Sequence, residues 1–175
     1  MFEDFIVDDI LRPKMKRINS GQKGKRTERE IVKILSEKFG ESFSRTVGSG
    51  NRISQVTNMP RHAQETFTGD LVVPENFGFV VESKGGYEDI DLNAILQDGN
   101  SQLDGFIEQV SSDSGKCGRK PMIVWKKNRK PWLAILLTKD LPHLDWQYRL
   151  IYREWSVITL KELLSLPKEF FFHHS

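Results

Sequence analysis

Cysteine is nearly absent: Cys117 is the only one among 175 residues. That excludes an intramolecular disulfide and a cysteine-built zinc site, and it suits a reducing cytoplasm. No apolar run approaches the roughly 20 residues a helix needs to cross a bilayer, so no membrane partner is expected. The first residues carry Glu3, Asp4, Asp8 and Asp9, which a signal peptide would not. His62, His143, His173 and His174 show no metal-ligand spacing. There is no nucleotide-cofactor fingerprint, which disfavours a small-molecule enzyme, and there is no internal repeat or low-complexity segment. With 38% hydrophobic and 29% charged residues, the chain can still pack a core, so one soluble globular domain with tails is expected. Cys117 itself reads as an incidental loop thiol.

What the chain does have is charge sorted into blocks. Residues 12–26 carry Arg12, Lys14, Lys16, Arg17, Lys23, Lys25 and Arg26 and no acid. Residues 116–130 carry Lys116, Arg119, Lys120, Lys126, Lys127, Arg129 and Lys130, again with no acid. Residues 45–61 are basic without acids, and residues 88–113 are acidic without bases. Three basic stretches could converge on one face and hold phosphates, or they could be ordinary solvated surface.

The patterning predicts an arm over residues 1–19 and a helix over 27–39 closed by Gly40. Thr27 and Glu30 have capping-box spacing, although a start near Ser20 also fits. A short strand is predicted over 42–47 and a polar loop over 48–66. Strands over 68–73 and 77–84 are joined by Pro74-Glu75-Asn76, a turn signal. A helix over 92–110 with a break near Gly99, strands over 121–125, 132–138 and 150–158, and a short helix over 159–166 follow. This order gives an α/β class, a mixed sheet with helices packed on it. The main domain is expected over 20–138, with 139–175 as an extension packed on it.

The chemistry concentrates on the 68–84 hairpin. Glu82 and Lys84 are two apart, so they share one face of their strand, with Val81 and Ser83 on the other. A turn centred on Asn76 sets Asp70 across from Glu82. Facing carboxylates repel unless a proton, a cation or a lysine lies between them. A hard divalent ion fits such a pair, and Lys84 would lie beside it. The alternative is a surface hairpin in which Lys84 salt-bridges both acids. Glu28 falls on the apolar face of its helix with Ile31, Val32, Leu35 and Phe39, so it points inward and needs a partner. It also lies near the helix N-terminus, where an anion is favoured. Gly48-Ser49-Gly50 is a turn, or a cradle for a phosphate through its N–H groups and the Ser49 hydroxyl. Trp125 and Trp132 read as core, and Tyr87 stays undecided.

Four ordered blocks carry a resemblance. They are residues 23–35, with Lys23-Gly24-Lys25-Arg26-Thr27-Glu28-Arg29-Glu30, then Ser44-Arg45-Thr46-Val47-Gly48-Ser49-Gly50, then Gly69-Asp70-Leu71-Val72, then Val81-Glu82-Ser83-Lys84. In this order they resemble the archaeal-type Holliday-junction resolvases of the PD-(D/E)xK nuclease superfamily, over about residues 22–136. The resemblance implies a restriction-endonuclease-like fold, a homodimer, Mg2+ dependence with Mn2+ able to substitute, and paired nicks across four-way junction DNA. It implies that Asp70 and Glu82 are metal ligands, joined by the Ser83 carbonyl and completed by Glu28. Lys84 would orient the attacking water, and Ser49 matches a loop serine of the family's site. Lys23, Lys25, Arg26, Arg29, Arg45 and Arg52 would lie near the DNA.

The chain departs from that pattern at three places. Gly69 replaces a common proline. Ser83 replaces an apolar residue, so the back of its strand is expected to be less buried. Residues 51–68 form an insertion, and residues 139–175 extend past the compact members. Such insertions fit a virus-borne relative acting in the host cytoplasm. The alternatives are another nuclease of the superfamily, in repair, restriction or end processing, and a DNA-binding protein without activity.

Overall fold

In a computed structural model, residues 20–46, 68–87, 99 and 101–173 are described, with side chains from Gly24 in the first helix and from Gln102 in the second. Helix α1 (Ser20–Phe39) is amphipathic: Ile31, Leu35 and Phe39 are buried, while Lys33, Glu37 and Lys38 face solvent. It ends at Gly40, whose φ of 67° is the left-handed cap and whose N–H donates to the Ser36 carbonyl at 2.9 Å. The helix begins seven residues before Thr27, so Thr27 and Glu30 form no capping box, and Thr27 is buried in the helix interior.

The main sheet has five strands: β3 (Phe79–Gly85), β4 (Lys120–Lys126), β5 (Trp132–Leu137), β6 (Arg149–Tyr152) and β7 (Trp155–Thr159), in the spatial order β3-β4-β5-β7-β6. The β3–β4 pair is parallel and the remaining pairs are antiparallel, so the sheet is mixed. A parallel neighbour demands a crossover, and helix α2 (Ser101–Cys117) provides it.

Alternation along the strands explains the three layers. Phe79, Val81, Met122, Val124, Ala134 and Leu136 pack with Ile31, Leu35 and Phe39 of α1. Val80, Ile123, Trp125 and Ile135 pack with Leu103, Phe106 and Val110 of α2. Covered on both faces, β3 and β4 read as continuous apolar runs. Trp125 is core on the α2 side, and Trp132 packs partly buried against the core on the α1 side.

Four local expectations are corrected. The strands over 68–73 and 77–84 do not form a regular hairpin ladder. Instead β2 (Leu71–Val72) pairs antiparallel with β1 (Ser44–Arg45) in a ribbon of its own. The chain turns out of register at Gly69, where φ is 82° and an added Cβ would lie 2.8 Å from Val80 Cγ2 and 3.0 Å from the Val81 carbonyl oxygen. Proline, fixed at a φ of about −65°, has no place there. The back of β3 is not loosened by Ser83, which is itself buried because α1 lies across that face. The strand over 150–158 is two strands, reversed at Arg153 with a φ of 52°. Cys117 is no loop thiol: it ends α2, half-buried, and burial pushes its pKa upward.

Residues past β5 add to the same core. The Thr159 side chain caps α3 (Leu160–Leu163) by accepting from the Glu162 N–H. Phe171, which ends α4 (Lys168–Phe171), and Phe172 join Phe39 and Phe77 in an aromatic cluster. The Gly78 N–H donates to the Phe171 carbonyl at 2.7 Å, which fixes the approach to β3.

Candidate active site at the end of strand β3

The last turns of β3 carry two charged side chains in a largely buried setting. Glu82 is 2% exposed, and the Lys84 ammonium donates to its Oε1 at 2.6 Å. Strand periodicity sends both toward α2. There Gln109 bridges them: its Nε2 donates to Glu82 Oε1 at 2.6 Å, and its Oε1 accepts from Lys84 Nζ at 2.8 Å. Lys84 Nζ also lies 4.9 Å from the Phe106 ring centroid. The ammonium is thus held by a carboxylate, an amide oxygen and an aromatic face, and its orientation is restricted before any ligand arrives.

Asp70 reaches the same place by a route unlike the expected ladder. Its N–H donates to the Val81 carbonyl at 3.0 Å, and its Oδ2 accepts the Ser83 N–H at 2.9 Å. These two bonds straddle Glu82, so the Asp70 and Glu82 carboxyl groups adjoin and interact directly. In an extended strand a residue's N–H and C=O leave by the same edge, so the Ser83 carbonyl faces the Asp70 side.

The electrostatics follow from burial. Desolvation raises the Asp70 pKa, against the Ser83 N–H bond that lowers it, and the Glu28 charge raises it further. Glu82 is pushed from 4.5 up to about 8, first by burial and then by the Asp70 charge, with Lys84 opposing. Glu82 Oε2 is buried and has no hydrogen-bond partner among the described residues. A buried carboxylate oxygen without a donor is costly, and a cation would relieve it. The donor set, two carboxylates and a strand-edge carbonyl, is all oxygen and suits a hard divalent ion, which takes water for its remaining ligands. Among the described residues no three His, Cys, Asp or Glu side chains form a ready cage.

Glu28 is inward-facing and 8% exposed, as its helical position required. Its partner is Arg45 of β1, whose Nε donates to Glu28 Oε2 at 2.6 Å. The structure therefore brings Asp70, Glu82 and Lys84 together and turns the Glu28 carboxylate onto Arg45. Lys25, Arg26 and Arg29 are exposed on α1, with Arg26 paired to Glu30 at 2.7 Å. The Lys23 side chain, Ser49 and Arg52 lie outside the described residues, as do the polar loop and the arm.

These groups line a cleft of about 400 Å3 formed by Gly24, Asp70, Glu82, Ser83, Lys84, Gly85, Gly86 and Tyr87. Gly24 and Gly85 mark where α1 crosses the end of β3. A Cβ at Gly85 would overlap the Thr27 side chain, so the glycine permits that approach. Tyr87 is 41% exposed, has a φ of 57° and stacks edge-on against Phe106 at 4.7 Å, forming the cleft's outer rim. Gln109 and Phe106 were not marked as site residues by sequence reasoning. Their signal is a helical i, i+3 pair on α2, which looks like any other stretch of helix until the crossover places it over β3.

The family model for "Phage putative PDDEXK endonuclease" matches residues 19–171. Protein D14 of Escherichia phage T5 is 28% identical over 150 residues, 83% of this chain and 86% of that protein. Among solved structures, Hjc, a Holliday junction resolvase from Archaeoglobus fulgidus, is 14% identical, covering 80% of this chain and 86% of that chain with a TM-score of 0.40. Among the described residues no helix is long and apolar enough to cross a membrane.

Proposed function

Because this chain belongs to the phage PDDEXK endonuclease family, we propose that the cleft at the end of β3 is the active site of a structure-specific DNA endonuclease that resolves four-way junctions. The observation that carries this reading is the pair of adjoining buried carboxyls, Asp70 and Glu82, with one Glu82 oxygen lacking a donor and Lys84 beside it. Asp70, Glu82 and the Ser83 carbonyl would hold Mg2+, or Mn2+ in its place. Glu28, paired to Arg45, would contribute through its charge, which already acts on Asp70. Held there, the ion would supply positive charge against the phosphodiester and lower the pKa of a bound water.

The chain's own groups do the remaining work. The Lys84 ammonium faces the cleft and is positioned to stabilise negative charge growing on the phosphoryl oxygens and to orient the incoming water. Gln109 keeps Lys84 and Glu82 in fixed relation, so neither must reorganise when substrate arrives. Lys25, Arg26 and Arg29 lie on the same helix as the cleft residue Gly24, where they would neutralise backbone phosphates. Paired nicks across a junction require two such sites, which a homodimer with two-fold symmetry would provide.

The test compares cleavage of a four-way junction, a fork, a nicked duplex and a linear duplex of matched sequence with Mg2+. Preferential, paired nicking of the junction is expected. Equal cutting of linear duplex would remove the junction part and leave a nuclease of the same family acting on other DNA. Absence of cutting with any divalent metal would overturn the nuclease reading itself.

A further inference from the structure

The β4–β5 hairpin is fastened to the wall of the cleft. β3 and β4 run parallel with Gly85 paired to Lys126, so both strands finish at the same end of the sheet. The Gly86 N–H donates to the Lys126 carbonyl at 2.9 Å, and the Trp125 indole N–H donates to the Gly86 carbonyl at 3.0 Å. Gly86 lines the cleft. Residues 127–131, which link β4 to β5, therefore start next to the rim of the proposed active site.

This link is strongly basic. Lys126, Lys127, Arg129 and Lys130 fall within five positions, and the chain has no acid between Asp113 and Asp140. Lys126 and Lys127 lie against the faces of Trp132 and Trp125, at 5.7 and 5.2 Å from the ring centroids. Lys126 Nζ also donates to the Lys130 carbonyl, and the Lys130 N–H donates to the Lys127 carbonyl at 3.3 Å, which closes the turn. At its tip Arg129 and Lys130 are exposed. Arg129 has a φ of 57°, a backbone conformation that glycine or asparagine would adopt with less strain. The turn thus sets both cationic residues at the solvent end of the hairpin.

Resting on the nuclease reading above, we propose that this hairpin grips the sugar-phosphate backbone of the strand being cut, away from the scissile phosphate. Arg129 lies in the turn just beyond Lys126, whose carbonyl is bound by the cleft residue Gly86, so the tip flanks the cleft without lining it. A fork of guanidinium and ammonium groups suits phosphate oxygens and carries no base readout.

The experiment uses the full chain with Arg129→Glu/Lys130→Glu and, separately, Arg129→Asn, which suits the turn but removes the charge. Binding of a labelled four-way junction and a labelled duplex is followed by anisotropy in EDTA from 50 to 250 mM NaCl. Cleavage is measured in Mg2+, with melting temperature as a folding control. For Arg129→Asn, the slope of log K against log salt should shrink by about 1 on either DNA without loss of melting temperature. For the double reversal it should shrink by about 2 or more, with KM raised and kcat at saturating DNA kept. Wild-type slope and KM in both well-folded variants would overturn the hairpin's role. If the wild-type chain cuts nothing yet the slopes fall, the nuclease reading fails and the hairpin grip stands. If it binds no DNA, both fail.

Discussion

The raised Glu82 pKa makes the metal-free protein lose stability as pH rises. In the unfolded chain Glu82 titrates at 4.5, and in the folded protein at about 8. Below 4.5 both states hold the proton, and above about 8 neither does. Between these values only the folded state binds it, so folding stability is largest at the acid end of the window and is lost as pH climbs through it. The slope is on the order of 1 kcal/mol per pH unit for one group, or roughly 2–3 kcal/mol between pH 5 and pH 7. Glu82 is almost wholly buried, so solvent screening does not dilute the effect. Asp70 is shifted in the same sense and adds to it. For a domain of this size, that corresponds to a fall in melting temperature of roughly 5–10 °C. Thermal melts in EDTA across this range would show it, and Glu82→Gln, which cannot titrate, should flatten the curve. Mg2+ competes with the proton for the same oxygens, so its stabilisation should be larger at pH 8 than at pH 5. A melting temperature indifferent to pH between 5 and 8 in the wild type, or an identical trend in Glu82→Gln, would refute this account of the site.

Other perturbations probe the same architecture. Asp70→Asn and Glu82→Gln should each abolish DNA cleavage while leaving DNA binding intact, because an oxygen ligand for the ion is weakened while the cationic residues of α1 remain; cutting at wild-type rates by either would take it out of the mechanism. Lys84→Ala and Gln109→Leu should both lower kcat with little change in KM, the lysine variant by the larger factor, and single-turnover kinetics would separate chemistry from release. Gly69→Ala should destabilise the fold by about 1–3 kcal/mol through its positive φ and the approach of Val80, as read from urea unfolding midpoints.

The sequence was most informative where a period alone sets direction. A spacing of two put Glu82 and Lys84 on one face of β3, and a helical period turned Glu28 inward. The mixed sheet with helices on it followed from the order of elements. What failed depended on contacts distant along the chain. Asp70 arrives beside Glu82 through a positive-φ glycine and a bond to the Ser83 N–H, while its strand pairs with β1, a choice that a turn signal at residues 74–76 cannot reveal. The partner of Glu28 is 17 residues away on that same ribbon. Gln109 looked like any polar helix residue, because its role exists only once α2 lies over β3. The reversal at Arg153 has neither glycine nor asparagine at its positive-φ position, so nothing local marked it.

The single parallel pairing has a consequence for how the site comes into being. Asp70, Glu82 and Lys84 occupy 15 consecutive positions, but the amide that steadies two of them lies 25 residues beyond Lys84. β4, the strand on which β3 leans, comes later still. The three charged groups therefore precede in the chain the amide that bridges two of them. The fixed relation of Lys84 to Glu82 is completed only when α2 folds back over the sheet.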